Sequence, residues 1–172
     1  MSYIMVQAKP TSASRTHLTD MILPGDSNYH GNVFGGHVLA LVDKVGSICA
    51  RKHSGCEVVT ASIDSFDFLA PIKLGEAIHI DGFIASTGRT SMEIYIKVMG
   101  EDLYTSTRYL TGECYLTFVA LDEEGKPTNV PAILPETEEE KWHFERAGER
   151  KAYRNERRKA KYHHPEKLEQ QQ

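Results

Sequence analysis

The sequence predicts an α+β fold: a curved antiparallel sheet wrapped around one long, largely buried central helix, with a charged helix at the C-terminus. Three observations point there. An early segment flanked by glycines carries apolar side chains at helical spacing. Four later segments alternate apolar and polar residues, as half-buried strands do. Short turns separate those segments, so consecutive strands run antiparallel.

The elements follow in chain order. A strand near Thr16 to Leu23 opens the sheet. Between Gly36 and Ala50, Val38, Leu41, Val42, Val45 and Cys49 recur at helical spacing, bounded by Gly35-Gly36 and Ser54-Gly55. The small residues Ala40, Gly46, Ser47 and Ala50 let other backbone approach this helix closely, so something wraps it tightly. Val59, Ala61 and Ile63 form the first alternating run, Ile78, Ile80 and Ile84 the second, and Met92, Ile94, Ile96 and Val98 the third. A long last strand, about Tyr109 to Leu121, places Leu110, Cys114, Leu116 and Phe118 on one face and Glu113, Tyr115 and Thr117 on the other. Turns are expected at Pro71 to Gly75, Thr87 to Thr90, Gly100 to Asp102 and Asp122 to Lys126. After Pro127, Pro131 and Pro135, Thr137 and Glu140 form a capping box, and a solvated charged helix is expected to about Lys161, fraying near His163 to Gln172.

The bulk numbers exclude several classes. The 172 residues, 40% hydrophobic, suffice for one core and are too few for two ordinary linked domains. A formal charge of -4 supplies no global attraction for a polyanion, so no nucleic-acid partner is expected. Met1 to Pro10 lacks the pattern of a signal peptide, and no apolar run approaches the roughly 20 residues of a membrane span. A cytoplasmic protein without membrane contact is expected. Cys49, Cys56 and Cys114 match neither a zinc set nor a disulfide framework and read as reduced and structural.

The stretch from Asn28 to His37 delivers Gly35-Gly36 to the start of the buried helix. The first helical amides have no intrahelical partner and lie at the positive end of the macrodipole, so these glycines offer unshielded N–H groups, as an oxyanion hole requires. Seven residues later Asp43 interrupts the helix at the edge of its apolar stripe. Pairing with Lys44 or solvent on an exposed flank would also account for it. Seven residues at about 1.5 Å separate Asp43 from Gly36 by roughly 10 Å along the axis. If the two act on one carbonyl, they come from different chains with their helices side by side across a two-fold axis, which makes a dimer the minimum assembly.

Gly31-Asn32-Val33-Phe34-Gly35-Gly36, Leu41-Val42-Asp43, Val59-Thr60-Ala61-Ser62, Phe66-Asp67-Phe68, Gly88-Arg89-Thr90-Ser91-Met92 and Leu116-Thr117-Phe118-Val119 resemble the hotdog-fold acyl-CoA thioesterases related to the cytosolic brain acyl-CoA hydrolase. The resemblance runs from roughly Thr16 to Pro131, so residues 1–131 are expected to form the thioesterase domain and 132–172 a helical extension beyond it. It implies Asn32 and Asp43 as a catalytic pair from opposite hotdog units, and a homohexamer built as a trimer of dimers. His30 receives no general role.

The implied chemistry is hydrolysis of fatty acyl-CoA. The Gly36 amide polarises the thioester carbonyl, and Asp43 activates water as general base with Asn32 positioning it, or attacks directly to form an anhydride. No metal or cofactor is required, CoA being part of the substrate. Arg89, Thr90, Ser91 and Arg108 are candidates for hydrogen bonds to CoA phosphates, the hairpin residues being better supported by the resemblance. Gly35 and Phe68 are expected to border the substrate, together with Phe66 and Leu69.

Competing chemistries are weaker. Cys49 and His53, four apart on the helix, read as a packed thiol with its neighbour rather than a nucleophile and base. His30, His37 and Asp43 lack a compact metal-ligand spacing, as does His163-His164. A hotdog protein that binds acyl-CoA without hydrolysing it is the alternative from another class; retention of Asn32 and Asp43 argues against it. A hotdog hydratase would need a histidine motif that the helix and its entry loop lack.

Overall fold

The computed structural model describes residues 7–162. Its centre is α1 (Gly35–Ser54), around which five strands curl: β2 (Thr16–Met21), β3 (Glu57–Ile63), β4 (Ala77–Thr87), β5 (Ser91–Asp102) and β6 (Thr107–Leu121). They order β2-β4-β5-β6-β3, with every neighbouring pair antiparallel. A short parallel pair joins β1 (Lys9–Pro10) to β7 (Ile133–Leu134), and the chain ends with α2 (Glu138–Glu145) and α3 (Ala147–Tyr162). A curled antiparallel sheet embracing one long helix is the hotdog fold.

The apolar stripe of α1 drives this arrangement. Val38, Val42, Val45 and Cys49 are fully buried and Leu41 nearly so, against Ile78, Ile80, Ile84, Met92, Ile94, Ile96, Leu116 and Phe118 on the inner face of the sheet. Small residues set the spacing, as expected. A Cβ on Gly46 would lie 2.9 Å from a Phe118 ring carbon, and one on Gly82 would lie 2.6 Å from Ile96 Cδ1 and 3.0 Å from Val45 Cγ1. The helix ends at Gly55, whose φ of 69° closes a left-handed cap that an L side chain would strain.

Three local expectations are corrected. Gly100 to Asp102 belongs to β5, and the turn falls at residues 103–106, where the Asp102 carboxylate accepts the Tyr104 and Thr105 amides and Ser106 takes φ 55°. Leu110 is 37% exposed rather than in line with Cys114 and Leu116, because a register shift leaves Thr111 unpaired and turns the preceding residues over. Val59, Ala61 and Ile63 do not line the core: Val59 is 47% exposed, and a bulge at Ala61 interrupts the alternation of β3.

The C-terminal extension departs further from a solvated helix. It first supplies β7 to the small sheet and then forms two helices, with the Thr137/Glu140 capping box present at the start of α2. Both pack on the outer face of the sheet, where Phe83, Ala85 and Tyr95 are buried. His143 of α2 is 6% exposed and receives the Tyr115 hydroxyl within 2.6 Å of Nδ1. Glu93 of β5, 3% exposed, accepts from Arg150 Nη2 at 2.6 Å and from Arg154. Outward-facing Glu93 and Asp64 supply the counter-charges that let Arg150, Arg154 and Arg157, spaced along one helical face, be half-buried. The segment from His163 to Gln172, expected to fray, lies outside the described residues. Among those described, no helix is long and apolar enough to cross a membrane.

Candidate active site

The entry loop to α1 is built by one asparagine and one glycine. Asn28 Oδ1 accepts the His30 and Asn32 amides at 2.9 and 3.3 Å, the Asn28 amide donates to Asn32 O at 2.8 Å, and Gly31 takes φ 75°. The loop is tied to the segment before β4 by Val33 N to Ile72 O and Leu74 N to Gly31 O, at 2.8 and 2.9 Å. Phe34 is the N-cap and its side chain caps nothing, so the Gly35 and Gly36 amides take no acceptor among the described residues. Aromatic rings border them. A Cβ on Gly35 would sit 3.2 Å from Phe68 Cζ and one on Gly36 2.6 Å from Phe34 Cε1, while the Phe66 and Phe68 rings meet at a tilt of 58° with centroids 4.7 Å apart. Bare amides at a helix start under an apolar rim suit a carbonyl oxygen that becomes negative.

Asp43 is half-buried, and its Oδ1 accepts a 2.8 Å hydrogen bond from Thr60 Oγ1 of β3. The carboxylate is therefore oriented by the sheet rather than paired with Lys44. Because α1 runs unbroken from Gly35 to Ser54, Asp43 stands about 10 Å along its axis from Gly36. Within one chain the described site thus comes in two halves: Asn32, Gly35, Gly36 and Phe68 at the start of α1, and Asp43 with Thr60 halfway down. The Asn32 side chain makes no hydrogen bond among the described residues, whereas its amide is held by Asn28.

Thr60 and Asn28 are the residues that the sequence reading passed over. Thr60 stands inside a motif singled out for its resemblance, but its bond to Asp43 joins residues 17 positions apart. Asn28, three residues before Gly31, carried the local signal of a turn-forming asparagine.

The hairpin residues Arg89, Thr90 and Ser91 come together at the β4–β5 turn, closed by Gly88 N to Ser91 O at 2.8 Å. Arg89 is exposed and its guanidinium has no partner among the described residues. Thr87, Gly88 and Ser91 form one wall of a cavity of about 390 Å³ whose other wall is α3, with Lys151, Asn155 and Arg158. Arg108 is not part of this group. It donates to Glu101 Oε2 at 3.1 Å, at the opposite end of β5, roughly 30 Å from Ser91 at strand rise.

The competing nucleophiles and ligands do not assemble. Cys49 is fully buried with Sγ 3.3 Å from Gly82 O, and burial pushes its thiol up to about 11; the same cause takes Cys114 up to about 12. His53 is buried, donates from Nε2 to Pro131 O at 2.9 Å, and is held below the usual imidazole range by desolvation. Among the described residues no cluster of His, Cys, Asp and Glu is arranged to hold a metal ion.

Fold and site together define a hotdog thioester enzyme, and comparison with known proteins agrees. Residues 30–107 match the thioesterase superfamily model. The chain is 43% identical over 127 residues to an uncharacterized acyl-CoA thioester hydrolase of Bacillus subtilis, covering 74% of each chain. It is 38% identical over 136 residues to the human cytosolic acyl coenzyme A thioester hydrolase, 78% of this chain and 36% of that longer one. A solved apo-hexameric acyl-CoA thioesterase superposes with TM-score 0.86 at 48% identity, covering 88% of this chain and 97% of the other. The Staphylococcus aureus acyl-CoA hydrolase, solved with butyryl coenzyme A and coenzyme A, superposes with TM-score 0.88 at 39% identity, covering 94% and 98%. This chain belongs to the acyl-CoA thioester hydrolases of the thioesterase superfamily.

Proposed function

We propose that the protein hydrolyses fatty acyl-CoA to the free acid and CoA in sites shared between subunits, with Asp43 as the reacting carboxylate. The observation that carries this reading is the Asp43–Thr60 contact: a half-buried carboxylate on a core helix, held by a strand hydroxyl and left with its second oxygen for chemistry. Asp43 acts as general base on water, since a thioester carbonyl is already electrophilic and needs only polarisation and a proton acceptor. The Gly36 amide, with Gly35 beside it, receives the developing oxyanion, and Asn32 of the opposite subunit positions the water. No cofactor takes part.

The exposed Arg89, with Thr90, Ser91 and the cavity reaching Lys151 and Arg158, receives the CoA phosphates, and Phe68 borders the acyl group. Arg108, paired with Glu101 at the far end of β5, stands outside this phosphate-binding group. Apolar side chains left exposed along the edge of β3 and on α1, Val59, Ile63 and Ile48, support a dimer in which these elements meet their copies, and likeness to hexameric enzymes supports a trimer of dimers. Likeness to a cytosolic hydrolase supports a cytoplasmic location.

Turnover of an acyl-CoA panel, followed by thiol release, tests the reading. Asp43→Ala should lower kcat by at least about a hundredfold while CoA binding persists. Mixed with Asn32→Ala subunits it should regain activity, because a hybrid dimer holds one intact site. Turnover at the wild-type rate by Asp43→Ala would sink the assignment, and no recovery despite proven subunit exchange would sink the shared site.

A further inference from the structure

We propose that α3 positions the Asp43 carboxylate through β3, with Asp64, Arg154 and Arg157 acting as positioning residues. The inference rests on the reading of Asp43 as the reacting group and adds how that group is kept in place.

Among the described residues of one chain β3 is an edge strand laddered to β6, and its free edge is the one that meets the partner's copy in the proposed dimer, so contacts on its outer face act beside those two. Thr60 and Asp64 are four apart and would face the same side of a regular strand. The bulge at Ala61 reverses this. Thr60 pairs with Phe118, whose side chain is in the core beneath α1, whereas Ser62 pairs with Thr117 and the Asp64 amide donates to Tyr115 O at 2.9 Å, on the outward-facing register. The same strand therefore presents Thr60 to α1 and Asp64 to α3.

On the outer face Asp64 Oδ1 accepts from Arg157 Nη2 at 3.0 Å, and Oδ2 lies 3.5 Å from Arg154 Nη1. Arg154 also engages Glu93, which is 3% exposed and takes further bonds from Arg150 Nε at 3.1 Å, Arg150 Nη2 at 2.6 Å and Ser86 Oγ at 3.2 Å. One guanidinium thus ties a buried carboxylate in the middle of the sheet to the end of the edge strand two places away. Charge-assisted bonds out of bulk water are stronger and less screened than surface pairs. They hold the strand on the far side of the bulge, while the Thr60 hydroxyl, 2.8 Å from Asp43 Oδ1, carries that position to the site. A displacement of about an ångström at a reacting group can slow a reaction up to roughly a hundredfold, so this support bears on rate.

The test is a mutant cycle on the full-length enzyme. Asp64→Asn keeps the shape and removes the charge that both arginines bind; Arg157→Gln, at a half-exposed position, is the milder second variant. Each should lower kcat, by about tenfold for Asp64→Asn, with KM for acyl-CoA nearly unchanged. Combined with Thr60→Val, neither should slow the reaction beyond Thr60→Val alone, because the path to Asp43 is already broken. A purely structural role would instead multiply the two factors. Unchanged kcat in both variants, or multiplying factors, overturns the positioning role. Should Asp64→Asn fail to fold, the Arg157→Gln cycle decides alone. Undiminished turnover by Asp43→Ala would overturn the underlying function as well, whereas multiplying factors beside an inactive Asp43→Ala overturn the positioning alone.

Discussion

The two faces of the sheet are stabilised by different physics. The inner face, against α1, is almost wholly apolar, and at its margin Asp43 and Thr60 form the proposed reacting group and its holder. The outer face, against α2 and α3, buries charge: Glu93, Glu140 and His143 lie among tyrosines and arginines. Apolar burial is strong and undirected, so the inner face makes the fold. Buried ion pairs add little net stability but demand particular partners, so the outer face fixes where the extension docks.

The largest effect should come from the inner face. Phe118→Ala, at a position 1% exposed beneath Gly46, should cost about 3–5 kcal/mol and lower the urea midpoint of the whole molecule in one transition. Glu93→Ala should cost less, about 3 kcal/mol, since Arg150 and Arg154 keep some access to water. Hydrogen exchange should show its loss of protection concentrated in α2 and α3. Equal loosening of α1 in that variant would break the contrast between the faces.

The smallest effect should appear with pH. Burial, reinforced by nearby Arg150, brings the His143 imidazole down to about 4. The unfolded chain takes up this proton near 6.5 and the folded one only near 4, so between those values the unfolded state binds more protons. Stability from this group is complete above about pH 6.5 and declines as pH falls toward 4. His143→Gln should flatten that part of the curve, measured by urea midpoints at pH 7.5 and 5; an identical slope would show that His143 is not the group titrating.

Sequence alone determined α1 and most of the inner face, failing where bulges shift β3 and β6 and expose Val59, Ile63 and Leu110. Helical and alternating periodicities report which residues meet a core, and the Thr137/Glu140 cap and the Gly55 stop are local chemistry, readable over a few positions. Asp43 stood out because a charge interrupts an apolar stripe, and its proposed role came from the family resemblance. Thr60 was not, since its role depends on a strand brought beside α1 and on a bulge that no period reveals. The basic face of α3 reads as solvated along the chain, because a run of arginines carries no sign of Glu93 and Asp64 waiting on the sheet. Tertiary structure decided those pairings: long-range contacts between charges follow from which surfaces meet, and that is settled only once the apolar core has folded.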